Sequence, residues 1–355
     1  KQDGKYGKPP AYNKSVREFD IVTLDRVRKI SIQADTDIWL EYAGEKGIHG
    51  AILSYLSLKK ENFYMVENTV DGKFFVTARG WEDLSEILKS YEELQVEIGE
   101  ELIGEFLQKE EIARDFAGYY RLYEKYKSDY QIQEILDGNV TSRQLKTCCD
   151  MGKKASFEER FTVTEMLLEA VTERISSFQK TDEKTEKLYR NLKLLKVFLQ
   201  EKNSVEAMEQ FIVSRRKALD AKICSELLTA EEAAREEEQI RILEEYFFQL
   251  KELHISDVAE GIEQIGERFG NVCRLRNEKL EETKKMLEQA FSFLEECFGE
   301  GQELLLFETG LTGDDRCSIF ISQYGCPSYF KHCELLLYSK KENELRKECR
   351  DLLED

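Results

Sequence analysis

A chain of 355 residues, 41% hydrophobic and 35% charged with only three prolines, has the composition of a helix-rich globular protein with room for two or three domains; it is too apolar to be disordered. Its formal charge of −19 argues against a nucleic-acid binder, because that affinity comes from Lys and Arg on phosphates. The nearest basic runs, Arg215-Arg216-Lys217 and Lys340-Lys341, are short and flanked by acids.

No run of about 18 apolar residues occurs, so no membrane span is expected, and the first residues lack the apolar core of a secretory leader. The nine cysteines are scattered, and Cys148 and Cys149 are adjacent. This usage reads as reduced thiols in a cytoplasmic protein.

Residues 1–18 are rich in Gly, Pro and Lys and read as loop. "FDIVTLDRVRKISI", residues 19–32, places Asp25 and Arg26 ahead of an alternating stretch, predicting a turn or short helix and then a strand. From Asp35 the pattern is helical, with Ile38, Trp39, Tyr42 and Ala43 apolar and Gly44 and Gly47 ending the run. "GAILSYLSL" predicts a second helix. "TVDGKFFVTA" predicts a hairpin turning at Asp71-Gly72, a dipeptide that accepts positive φ. "RGWEDLSEILKSYEEL" is amphipathic, with Trp81, Leu84, Ile87, Leu88 and Tyr91 on one face.

Ile112, Phe116, Tyr119, Tyr120, Tyr123 and Tyr126 form an aromatic stripe at helical spacing, which reads as core. Asp137-Gly138-Asn139 breaks the pattern and marks a candidate boundary. Residues 141–300 read as almost continuous helix, opened by a capping box at Ser156 and Glu159. A helix from Ser256 to about Phe298 is interrupted by Gly261, Gly266 and Gly270, which divide it in two if they break it. Antiparallel hairpins are expected here. "ELLLFETGLT" then reads as a strand, and Gly325 and Pro327 break the helical pattern that follows, so residues 301–355 are expected to form a small α+β tail.

Catalytic constellations are scarce. His49, His254 and His332 have no HExxH or triad company, and no G-x-x-x-x-G-K-S/T phosphate loop or acidic-ended strand for magnesium occurs. Cys317, Cys326, His332 and Cys333 fall close together, as four zinc ligands would, but lack a C-x2-C knuckle; buried thiols are the competing reading.

Residues 16–88 nevertheless resemble one family. "FDIVTLDRVRKISI", "DIWLEYAGEKGIHGAILSYLSLKKENFY" and "FFVTARGWEDLSEIL" look like the C-terminal half of a MoxR-type AAA+ ATPase module. "LDRV" stands where the family has L-D-R-F at the end of the α/β core, with Val27 in place of phenylalanine. "TARGWEDLSEIL" stands at the start of a lid helix, with Ala78 in place of the common proline.

The resemblance implies that Arg26 is an arginine finger reaching the nucleotide of a neighbouring subunit, with Arg28 close enough to be confused with it, and that Arg79 is the sensor 2 arginine. It implies ATP and magnesium as cofactors of the parent protein, with none tightly bound by this chain alone. It further implies assembly into a homo-oligomeric, hexameric ring and partnership with a von Willebrand factor A-type protein. The chain is then expected to begin part-way through a fold.

The expected architecture is mainly α. A remnant of the AAA+ core occupies residues 1–32, a helical lid with a small hairpin 33–138, a helical extension 139–300 and the tail 301–355. The activity expected of the parent is ATP-driven remodelling of protein complexes. The competing reading of Arg26 is a surface ion pair with Asp20 or Asp25. The competing reading of the whole is a non-catalytic helical adaptor whose acidic faces favour basic partners.

Overall fold

The structure, a computed structural model, describes residues 34–69 and 72–333 together with Arg26. The strand expected within residues 19–32 and the last 22 positions therefore lie outside the described residues, as does Arg28. What is described is overwhelmingly helical, with one two-stranded sheet.

Helix α1 (Thr36–Lys46) opens on Asp35, whose carboxylate accepts from the backbone N–H of Asp37 and Ile38, and closes on Gly47 at φ 70°. Trp39 and Ala43 are buried, whereas Ile38 and Tyr42 face outward. Helix α2 (Gly50–Leu58) leads through a 3-10 turn (Lys60–Asn62) into the hairpin of β1 (Met65–Thr69) and β2 (Gly72–Val76). Thr69 pairs with Gly72, so Gly72 belongs to the second strand and not to an Asp71-Gly72 turn. Val76, at the end of the second strand, is fully buried.

Helix α3 (Ala78–Glu93) is capped by Thr77 and drives Trp81, Leu84 and Leu88 into the interior. The Trp81 indole N–H donates to the Phe63 carbonyl at 3.1 Å, and its ring meets Phe116 edge-on at 5.3 Å. Helices α4 (Glu100–Phe106), α5 (Glu110–Tyr130), α6 (Ile132–Asp137) and α7 (Ser142–Gly152) follow. The aromatic stripe falls on α5, with Ile112, Phe116, Tyr120 and Tyr123 buried and Tyr119 and Tyr126 partly so.

Two long helices organise the rest. Helix α8 (Phe157–Lys202) has 46 residues and α11 (Val258–Phe298) has 41, about 69 and 62 Å at 1.5 Å per residue. Between them lie α9 (Ala207–Cys224) and α10 (Ala230–Glu252). The glycines at 261, 266 and 270 do not divide α11. Gly261 lies in van der Waals reach of Val205, and the other two face open space. Ser156 caps α8 through the Glu159 N–H, but the Glu159 carboxylate is taken by the Tyr130 hydroxyl at 2.8 Å instead of completing a capping box.

The tail differs from expectation. "ELLLFETGLT" is helical, within α12 (Gln302–Gly313), and is followed by α13 (Asp315–Tyr324) and α14 (Pro327–Cys333). Leu304, Phe307 and Leu311 are buried at spacings of three and four. That spacing serves a helix laid on α8 and α11, and a short apolar run cannot announce it by itself.

The apolar side chains form two clusters. One gathers α1 to α7, the first half of α8, the last half of α11 and α12 to α14, running without interruption past residues 138 and 300. The other gathers the end of α8, α9, α10 and the start of α11. The molecule is thus a helical head with a four-helix arm. On α8 no residue is buried between Phe178 and Leu188, and on α11 none between Ile265 and Thr283. That bare interval is the neck.

The structure also joins Cys149 of α7 to Cys297 of α11 as a disulfide, against the expectation of thiols throughout. Both residues sit in the head core, where packing of α7 on α11 brings together sulfurs 148 positions apart.

Candidate functional site

Arg79 occupies the first turn of α3, directly after the hairpin, and is exposed. The backbone that carries it is tightly held. Trp81 is fully buried two residues on, and a Cβ at Gly80 would stand 2.8 Å from the Phe106 carbonyl oxygen. Only a glycine allows that approach. Arg26 is exposed on helical backbone. No hydrogen bond or ion pair links either arginine to another described residue, and none brings the two together.

The densest polar constellation in the head surrounds His49. Its Nδ1 accepts from the Ala51 N–H at 3.1 Å, so a neutral ring carries its hydrogen on Nε2, which donates to Glu92 Oε1 at 2.8 Å. The Tyr120 hydroxyl donates to the same oxygen at 2.8 Å, and Lys127 Nζ lies 3.7 Å from the other. Burial alone would raise the Glu92 carboxyl, but the hydrogen bond and charge of His49, with Tyr120 and Lys127, outweigh it and hold the group down at about 2.

On the other side of His49, Glu169 of α8 lies against the start of α2. A Cβ on Gly50 would fall 1.5 Å from its Oε2, and the Tyr123 hydroxyl donates to that oxygen at 3.1 Å. Burial raises Glu169, and burial plus the Glu169 charge pushes Glu165 up to about 7. The network ties α2, α3, α5 and α8 together. Both His49 nitrogens, both Glu92 oxygens and the Tyr120 and Tyr123 hydroxyls are engaged, which is the arrangement of a structural knot and not of an open reaction site.

At the neck, the Arg276 Nε–H donates to Asp182 Oδ1 at 2.7 Å and its Nη2–H to the Tyr324 hydroxyl at 2.6 Å. That hydroxyl donates to Asp182 Oδ2 at 3.2 Å. The guanidinium also lies over the rings of Phe178 and Tyr324, at 5.1 and 5.4 Å. Polar and cation–ring contacts thus replace apolar burial where the arm leaves the head.

The Cys/His quartet does not converge. Cys317 Sγ faces Thr172 Oγ1 at 3.5 Å, Cys326 donates to Glu288 Oε1 at 3.2 Å, and His332 is paired with Glu295. Burial pushes both the Cys317 and the Cys326 thiol up to about 12. Among the described residues no three potential ligands meet. An open cleft of about 450 Å³ between α9 and α10 is lined by Arg216, Glu237, Glu238, Arg241 and Glu244, and Arg216 is already paired with Glu244 at 2.8 Å. Among the described residues no helix is long and apolar enough to cross a membrane.

No protein-family model matches the chain, and no curated protein or solved structure is similar enough to register as a match.

Sequence reasoning set aside His49 for want of company. Its partners Glu92, Tyr120 and Glu169 are 43 to 120 positions away, and only the packing of four helices assembles them. The neck triad is equally dispersed.

Proposed function

We propose that the chain is the C-terminal part of a MoxR-like AAA+ ATPase that couples ATP hydrolysis to the remodelling of protein complexes. In this reading Arg26 is the finger, Arg79 is sensor 2, and the helical region binds a partner. The observation that carries it is Arg79: an exposed guanidinium, unpaired with any described carboxylate, on the first turn of a helix fixed by Trp81 and Gly80. A guanidinium so placed suits phosphate oxygens, because it is always charged and can donate two parallel hydrogen bonds. ATP and magnesium belong to the parent protein. The hexameric ring, the von Willebrand factor A-type partner and the cytoplasmic setting are parts of the same proposal.

The test is Arg26→Ala in the full-length protein. The expected result is loss of turnover by about 10³-fold or more, the range for an arginine supplied in trans, with nucleotide affinity retained. Unchanged turnover overturns the finger assignment. Coding sequence upstream of Lys1 with no phosphate loop overturns the family.

A second reading, a non-catalytic helical adaptor, is favoured by the arm. It builds its own apolar cluster, separate from the core of the head.

A further inference from the structure

The far end of the arm differs from the rest of the molecule. Residues 192–217 and 246–262 hold seven Lys and Arg against six Asp and Glu, in a chain of net charge −19. Nearer the head, residues 182–191, 218–245 and 263–275 hold eight against fourteen. Most of the far-end cations also form no ion pair with a described carboxylate. Among the described residues only Arg216 of the seven pairs with a carboxylate, whereas toward the head Lys184, Arg190 and Arg274 pair with Glu238, Glu186 and Glu278.

Three of these cations instead lie over rings: Lys202 over Phe198 at 5.8 Å, Arg215 over Phe211 at 5.3 Å and Lys251 over Phe247 at 4.3 Å. Beside them, large apolar groups stand in solvent, with Val197 51%, Phe248 62% and Leu253 57% exposed. All three lie within about 8 Å of the ends of α8 and α10, counted at 1.5 Å per residue.

We propose that this end of the arm is a docking surface for a partner polypeptide that presents apolar side chains among carboxylates. Aromatic rings and Arg in a partly desolvated patch are the features that concentrate binding energy at protein interfaces, and cations steer and register an acidic partner. An anionic membrane fits less well. Its attraction grows with each Lys or Arg near the surface, and here nearly as many carboxylates accompany them. A second copy fits less well because it would bring the cations face to face. The surface deepens the partner-binding part of the reading above, and it stands without the ATPase part.

The test places a photoreactive benzoylphenylalanine at Phe248 of the full chain in its native cells and sequences the crosslinked peptides by mass spectrometry. The same substitution at Phe330, 52% exposed on the head, is the control. The expected adducts are segments of another protein in which Asp or Glu flank apolar residues, in at least fivefold excess over the control. The charge reversal Lys202→Glu with Lys251→Glu should lower their yield fivefold, with far-UV circular dichroism unchanged. Adducts confined to lipid or to a second copy, a yield equal to that at Phe330, or indifference to charge reversal would each overturn the proposal. Because the readout does not involve turnover, its failure leaves the ATPase reading untouched, and the reverse holds too.

Discussion

Glu92→Gln removes one charge from the centre of the head and leaves the shape almost unchanged. In the native protein Glu92 accepts from the His49 Nε2–H and the Tyr120 hydroxyl, both at 2.8 Å, on a side chain 27% exposed. Its carboxyl is lowered from 4.5 to about 2. At about 1.4 kcal/mol per pKa unit, full linkage would amount to roughly 3 kcal/mol. Discounted for the exposed part of the side chain, the loss expected at neutral pH is about 2 kcal/mol, consistent with the loss of two hydrogen bonds to a charged acceptor.

The assay is urea unfolding followed by tryptophan emission. The chain has two tryptophans, Trp39 and Trp81, both in the head core, so the signal reports the head and is blind to the arm. The sign with pH is fixed by the direction of the shift. A carboxyl depressed in the folded state stabilises fully above its unfolded value, and that stability disappears as pH falls from about 4.5 to about 2. The wild type should therefore lose this contribution across that window, and the variant should lack it at every pH. A Glu92→Gln unfolding free energy within about 0.5 kcal/mol of wild type at pH 7, the scatter of surface substitutions, would refute the network's role.

Glu165 behaves oppositely. Its carboxyl is raised to about 7 by burial and the Glu169 charge, so its folded-state penalty is absent below about 4.5 and complete above about 7; Glu165→Gln should stabilise the head by about 2 kcal/mol at pH 8 and by nothing at pH 4, read by the same tryptophan signal. In the arm, Leu199 is fully buried, and Leu199→Ala should cost about 2–5 kcal/mol. That loss should appear as an earlier far-UV circular dichroism transition while the tryptophan transition stays in place; a coincident shift of both would show that head and arm unfold as one. For the Cys149–Cys297 bond, thiol titration of oxidised, denatured chain should count seven of the nine cysteines. Reduction should lower stability by up to about 5 kcal/mol, the chain-entropy value for a loop of this length, and nine thiols in the oxidised sample would remove the bond from the account.

The sequence by itself determined most of the local structure of this protein. The stripe from Ile112 to Tyr123, the face of Trp81, Leu84 and Leu88, and the cap at Ser156 were all legible, because each is written within about three helical turns. The exposed positions of Arg26 and Arg79 leave the roles suggested for them open to the experiment described above.

Only the tertiary structure decided which faces meet. It turned "ELLLFETGLT" into a helix by giving Leu304, Phe307 and Leu311 two helices to lie on. It brought Glu92 and Glu169 to His49 and Asp182 to Arg276 across 43 to 120 positions, and it split one helical run into a head and an arm. The physical reason is range. Periodicity and capping act over a few residues of backbone, whereas burial rewards whichever surfaces exclude water together, and that choice is made by the whole chain at once.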